Sequence, residues 1–321
     1  MRKGLLSILL ILSVSALACG DDKKNGGNGG GDQDASIQAE CPTASKLDEG
    51  EGLMGSCCYR KSNAESLDAP ELRLSSIKIT APAALSTAII NGALQNFLDD
   101  ETFNWLVRLD GLDGDDPTYT TGFGEQNPDA SYSFRPSSDE FAPATGSGAL
   151  ADETFSAGPA TETIIVPILD AETLEPTVRF ALTNLSIVKA ALSESRSCVG
   201  TRGEDAYDVD SGELTAFVTK EAAAEARVTI EGALDSSLCD LLSGNITTEF
   251  DPETACTGDQ AEWTYPPDAL CGEETCEADP GDGSVCAADE CNAWFLEAKF
   301  AAQGVEITDD ASSADAGADA E

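Results

Sequence analysis

Residues 72–80 read LRLSSIKIT. Leu72 and Leu74 alternate with polar neighbours, and Ile77 and Ile79 resume the alternation in the opposite phase. Period two marks a strand with one face buried, and the slip of phase predicts a bulge inside it. Pro82 follows, a residue suited to a helix start. From Ala83 to Asp99 the period changes to that of a helix: Ser86, Ile90, Leu94 and Leu98 fall in one row, with Ile89, Ala93 and Phe97 beside it. Asp99 and Asp100 end it. Phe103, Trp105, Val107 and Leu109 then return to period two. A bulged strand, a helix and a second strand within 40 residues predict an α+β fold in which strands carry the core.

The rest of the chain extends the strand pattern. A Gly/Asp turn (DGLDGDD, 110–116) precedes short strands at 118–124 and 131–134. Residues 136–161 are rich in Ser, Ala, Gly and Pro and read as a long surface loop. An apolar run spans 164–169. Val178, Phe180 and Leu182 alternate, then Leu185 and Ile187 take the other phase, which predicts a bulge near Thr183 and Asn184. A second copy of the opening unit begins at Leu214. At a fixed offset of 140 residues, Leu74 matches Leu214, Ile90 matches Ile230, Gly92-Ala93-Leu94 matches Gly232-Ala233-Leu234, and Leu98 matches Leu238. Glycine inside a helix costs about 1 kcal/mol relative to alanine. Its recurrence therefore predicts two amphipathic helices, each with a close backbone approach at Gly92 or Gly232. A closing strand is expected from Trp294 onward. The fold class is α+β and β-rich: an antiparallel sheet or sandwich with two amphipathic helices, a possible internal strand–helix duplication, and disulfide staples.

The N-terminus, MRKGLLSILLILSVSALACG, has a basic start at Arg2 and Lys3, an apolar run from Leu5 to Val14, and small residues before Cys19. This is the pattern of an export signal, too short for a permanent span. Ser15-Ala16-Leu17-Ala18-Cys19 resembles a bacterial lipobox, which makes Cys19 the expected lipid acceptor. Domain boundaries follow: a signal at 1–18, a flexible Gly/Asn/Asp tether at 19–40, one globular domain at 41–307 with an acidic, Cys-rich subregion at 251–291, and an acidic tail at 308–321.

Asp and Glu number 59 against 18 Lys and Arg, for a formal net charge of −41. Such a surface repels nucleic acid. There is no histidine, which removes Ser-His-Asp and Cys-His catalysis and His-ligated zinc. Apart from Cys19, ten cysteines remain: Cys41, Cys57, Cys58, Cys198, Cys239, Cys256, Cys271, Cys276, Cys286 and Cys291. An even set in an exported chain predicts a disulfide framework in an oxidising compartment. The alternative for the last four, a four-thiolate metal site, lacks any Cys-x-x-Cys.

Three acidic turns are candidates for calcium, which takes several oxygen ligands from a short loop. Asp110, Asp113, Asp115 and Asp116 form the first, Asp205, Asp208, Asp210 and Glu213 the second, and Asp279 and Asp282 the third; none has EF-hand spacing. Trp105 and Trp294 read as core residues on strands, whereas Trp263, in AEWTYPP, reads as a loop aromatic available for binding. The lipobox, the Gly/Asp tether, the passage NGALQNFLDDETFNWLVRLDG and the stretch ADPGDGSVCAADECNAWFLEAKF together resemble exported lipoproteins of myxobacteria and related bacteria. The resemblance implies surface or periplasmic placement, with Cys19 lipidated, and no particular activity. Gly20 after that cysteine favours the outer membrane by the same resemblance. The expected role is a non-enzymatic envelope module, for binding or structure, held to the membrane by lipid and meeting a protein or glycan partner without an organic cofactor. The alternatives are a carboxylate-dependent glycan hydrolase and a calcium-stabilised adhesin.

Overall fold

In the computed structural model, residues 59–136, 141–160, 163–169, 176–200, 211–230, 234–247, 249–272, 275–287 and 289–308 are described. The elements begin with β1 (Glu71–Ala81), α1 (Ala88–Asp99), β2 (Trp105–Asp110), β3 (Thr118–Gln126) and β4 (Tyr132–Phe134). They continue with β5 (Ala144–Ala151), β6 (Thr154–Ala157), β7 (Ile164–Leu169), β8 (Pro176–Ala191), β9 (Cys198–Val199) and β10 (Gly212–Thr219). Then come α2 (Lys220–Glu225), β11 (Arg227–Ile230), β12 (Leu234–Ser237), α3 (Leu238–Ser243), a 3-10 turn at Gln260–Glu262, β13 (Ala269–Cys271), β14 (Cys276–Ala278) and β15 (Ala293–Gly304).

Eight strands pair in the order β1-β2-β3-β5-β6-β8-β10-β15, and β15 pairs back onto β1. Every pairing in this ring is antiparallel. The β-rich, antiparallel α+β fold is therefore present, with the sheet closed into a barrel in place of a sandwich. Closure removes the two free edges that an open sheet would expose. All eight strands send apolar side chains into one core, among them Leu74, Trp105, Tyr119, Ala144, Phe155, Leu185, Ala216 and Phe300.

Both predicted bulges are present. The β1–β15 register slips between Leu74 and Ser76. The β8–β10 register slips between Thr215 and Phe217, opposite Ser186 and Thr183, and Asn184 takes φ 51°. The closing strand is β15. It carries β1 on one side and β10 on the other, with Leu74 opposite Ala302 and Leu214 opposite Ala298.

Three expectations are corrected. The supposed surface loop at 136–161 contains β5 and β6. Their residues are small because aromatic rings lie over them: a Cβ added to Gly148 would stand 2.4 Å from the Phe155 ring, and one added to Gly212 in β10 would stand 2.4 Å from Phe300. The strand needs the missing side chain to seat the ring. The second correction concerns the repeat. Only the first copy is helical. In the second, β11 pairs antiparallel with β12, with Ile230 opposite Leu234, and Arg227 grips Asp235 through two hydrogen bonds of 2.6 and 2.7 Å. The β-branched run Val228-Thr229-Ile230 favours a strand there. Gly92 also makes no close approach, since nothing lies within 4 Å of a Cβ built on it; Gly232 lies outside the described residues. The third correction is the start of α1. Pro82 opens a turn whose carbonyl accepts from Leu85 and Ser86, and the helix begins after Thr87, whose hydroxyl caps the Ile90 N–H.

α1 solves a problem left by the ring. β1 pairs with β2 only through Glu71, Leu72 and Arg73. Beyond them the β1 edge is covered by α1. Asn91 accepts from the Ile79 N–H at 2.7 Å and donates to the Ile79 carbonyl at 3.1 Å. One turn on, Gln95 donates to the Ser75 carbonyl and accepts from the Ser76 hydroxyl. Two amides four residues apart share one helix face and stand in for a neighbouring strand.

Candidate functional site

The ends of the barrel are closed differently. At the end where β1 begins, Arg196 is buried and ties three segments: it donates to the Leu67 carbonyl and pairs with Asp113 at 3.0 Å and Glu153 at 3.1 Å. Asp113, on the β2–β3 turn, is thereby held by a guanidinium. Among the described residues no three His, Cys, Asp or Glu side chains are grouped to hold a metal ion. The turn with Asp110, Asp113 and Asp115 is thus not brought to a common point, and Asp208 and Asp210 lie outside the described residues.

At the opposite end, α2, α3 and the Cys-rich region cover Trp294, Val218 and Ile79. Trp263 is part of this plug, which corrects its reading as an available loop aromatic. It is 6% exposed, stacks on Trp294 with centroids 6.2 Å apart, and carries the Lys220 ammonium 5.3 Å from its ring centre. Trp105 and Trp294 are core residues, as their alternation predicts.

The cysteines pair in sequence order: Cys239 with Cys256, Cys271 with Cys276, and Cys286 with Cys291. A four-thiolate site from the last four is thereby excluded. Cys198 is also disulfide-bonded; Cys19, Cys41, Cys57 and Cys58 lie outside the described residues.

On the outer wall, two features have binding chemistry. The first is a polar cluster that no local sequence signal marks. Arg73 sits at an outward position of β1 yet is 3% exposed, because Tyr132 and the segment at Arg60 cover it. It donates to the Asn104 side chain at 2.7 Å and to the Leu98 carbonyl at 2.6 Å. Burial lowers its pKa, opposed by the nearby Tyr132 and Glu101. The Tyr132 phenol accepts from Arg60 and Gln126 and donates to Glu101; burial raises its pKa. These groups satisfy one another and lock the entering chain to β4.

The second feature is an open groove of about 450 Å³ across β5, β6 and β8. Its wall holds Ser147, Ala149, Ser156, Gly158, Ser186 and Val188, with neither charge nor aromatic ring. Val188 is 50% exposed. The chemistry on offer is hydroxyls, backbone and small apolar contacts.

In the Cys-rich region, Asp279 organises its own loop. Its carboxylate accepts from the backbone N–H groups of Gly281, Gly283, Val285 and Cys286. Those donors, Val285 foremost, hold its pKa down from 3.8 to about 2. A carboxylate with a depressed folded pKa adds stability above its unfolded value and loses it as pH falls through the folded one. Asp279→Asn should therefore flatten the acid limb of a pH–stability curve between about pH 4 and 2, while the native chain declines over that window. An unchanged slope would show that the loop holds without the carboxylate.

No protein-family model, curated protein or solved structure matches the chain.

Proposed function

We propose that the chain is an exported lipoprotein, anchored through Cys19, whose barrel is a non-enzymatic binding module of the cell envelope. The observation that carries this reading is the disulfide set: three internal pairs plus a bonded Cys198. Such a set needs an oxidising compartment, and the N-terminal signal supplies the route to one. An eight-stranded barrel has room inside for side chains or for one small ligand. Here aromatic side chains fill that space, so a partner is met on the outer wall. The uncharged groove across β5, β6 and β8 suits a neutral partner, peptide or glycan, since the net charge of −41 repels anions.

The test is Cys19→Ala. The native chain is expected to incorporate labelled palmitate and to sediment with membranes, most of it with the outer membrane. The variant is expected to lose the label and appear in the soluble fraction. A variant that still labels and sediments would remove the anchor. Release of reducing ends from envelope glycans by the purified lipoprotein would remove the non-enzymatic half.

A further inference from the structure

The β13–β14 hairpin lies against the outer wall and covers something apolar. Phe217 of β10 and Phe295 of β15 are direct cross-strand partners that point outward, with ring centroids 5.3 Å apart. Ala269, Cys271, Cys276 and Ala278 of the hairpin pack on this pair, and Phe217 is left 8% exposed. The hairpin is small. It has three register pairs, ending in Cys271 opposite Cys276, and it joins the barrel sheet through the single pair Ala269–Ala293. Two side chains strengthen the dock. Asn292 grips the Cys271 backbone through both N–H and carbonyl, at 2.7 and 2.9 Å. Asp268 accepts the Phe295 N–H at 2.7 Å.

The three described disulfides differ in access. Cys286 and Cys291 are 5% and 4% exposed, and Cys239 is fully buried. Only in Cys271–Cys276 are both residues half-buried. An isolated hairpin with strands this short is marginal in water, so its staple decides whether it stays formed. The surroundings also select the reagent. No Lys or Arg occurs between Arg227 and Lys299, while Glu273, Glu274 and Glu277 flank the bond in sequence. An anionic thiol is repelled from such a surface, and a neutral or cationic one is not.

We propose that Cys271–Cys276 is the reducible latch of a cover, opened by a neutral or cationic dithiol to bare the Phe217–Phe295 pair. A thiolate of the dithiol attacks one sulfur, forming a mixed disulfide and releasing the other sulfur, which takes a proton. The second thiol of the reagent then displaces the remaining cysteine. The reagent leaves as a disulfide, and Cys271 and Cys276 hold the two hydrogens.

The test uses the full chain, with dithiothreitol as the neutral dithiol that opens the bond and cysteamine, mercaptoethanol and glutathione as single-thiol probes of the charge effect on the first attack, each rate normalised to that with an uncharged small disulfide. Alkylation mapped by mass spectrometry should appear first at Cys271 and Cys276. At low salt cysteamine should outpace glutathione by about ten-fold, and molar salt should close the gap. With the bond open, amide exchange should rise at Leu270 and Glu277, binding of an apolar dye should increase, and β2 and β3 should stay protected. The double variant C271S/C276S should reproduce the open state without reductant. Earlier alkylation of Cys239 or of Cys286 and Cys291 would overturn the proposal. So would equal normalised rates at low salt, or exchange and dye binding that do not change once the bond is gone.

Discussion

Phe155→Ala should lower the stability of the barrel by about 3–5 kcal/mol, the range for removing a fully buried aromatic ring. Phe155 has no exposed surface, sits on the four-residue strand β6, and meets Tyr119 edge-on with centroids 6.4 Å apart. Its ring rests over Gly148 of β5, so the cavity left by alanine is walled by backbone that cannot collapse far. The ring and the missing side chain are one feature. Gly148→Ala alone should be destabilising by about 1–3 kcal/mol, because the new Cβ would stand 2.4 Å from the ring. In the Phe155→Ala background the same change should be far milder, since the ring has gone. Urea unfolding of the four proteins gives the coupling directly. Additive effects, or a loss below about 1 kcal/mol for Phe155→Ala, would mean the interior is not packed as described.

This pair also shows why part of the fold was illegible in the sequence. Hydrophobic periodicity finds a strand when the strand carries its own apolar residues. β1, β2, β8 and β15 do, and even their bulges appear as slips of phase, at Leu74 to Ile77 and at Leu182 to Leu185. β5, ATGSGALA, does not. Its apolar partners are Tyr119 and Phe155 on the strands beside it, and its own composition is that of a loop. Ring closure was hidden for a different reason. It depends on the pairing of Leu72 with Gly304, across most of the chain, and nothing local specifies it. The three described disulfides are local, at separations of 17, 5 and 5 residues, but cysteine spacing alone does not choose among the many possible pairings. The two copies take different conformations because matched apolar residues at a fixed offset do not by themselves fix one. Thr87 caps one copy as a helix, and in the other Arg227 grips Asp235 across the β11–β12 pair.

The candidate binding features were less legible still. Arg73 reads as an ordinary outward residue on a strand, and its burial comes from Tyr132, nearly 60 positions away. The groove across β5, β6 and β8 is lined by the very residues that read as a loop. Trp263 reads as a free loop aromatic because its plug partners, Lys220 and Trp294, come from distant segments. One signal was available and informative: Asn91 and Gln95 are amides on the side of α1 that carries Leu94 and Leu98. A polar group on a buried row needs a partner, and four-residue spacing points both at one target.

That target makes Asn91 the second position of large effect. Asn91→Ala should destabilise the protein by about 2–4 kcal/mol, since it strips partners from both the N–H and the carbonyl of Ile79, each worth about 1–3 kcal/mol when left unpaired and buried. Asn91→Asp isolates the donor half. Its oxygen can still accept from the Ile79 N–H, but a second oxygen then faces the Ile79 carbonyl in place of the amide nitrogen. The carboxylate is disfavoured there, so the folded-state pKa of the new acid should lie above its unfolded value. A group raised in this way favours the fold below its unfolded pKa and loses that contribution as pH rises through the folded one. Asn91→Asp should therefore be at least as damaging as Asn91→Ala at neutral pH and should recover toward the native protein in acid, where a protonated carboxyl can donate. Urea unfolding at two pH values, with amide exchange at Ile79, reads both effects. If Asn91→Ala stays within about 0.5 kcal/mol of the native protein, α1 is not standing in for a strand, and the seam between β1 and β2 is held closed by the apolar face of the helix alone.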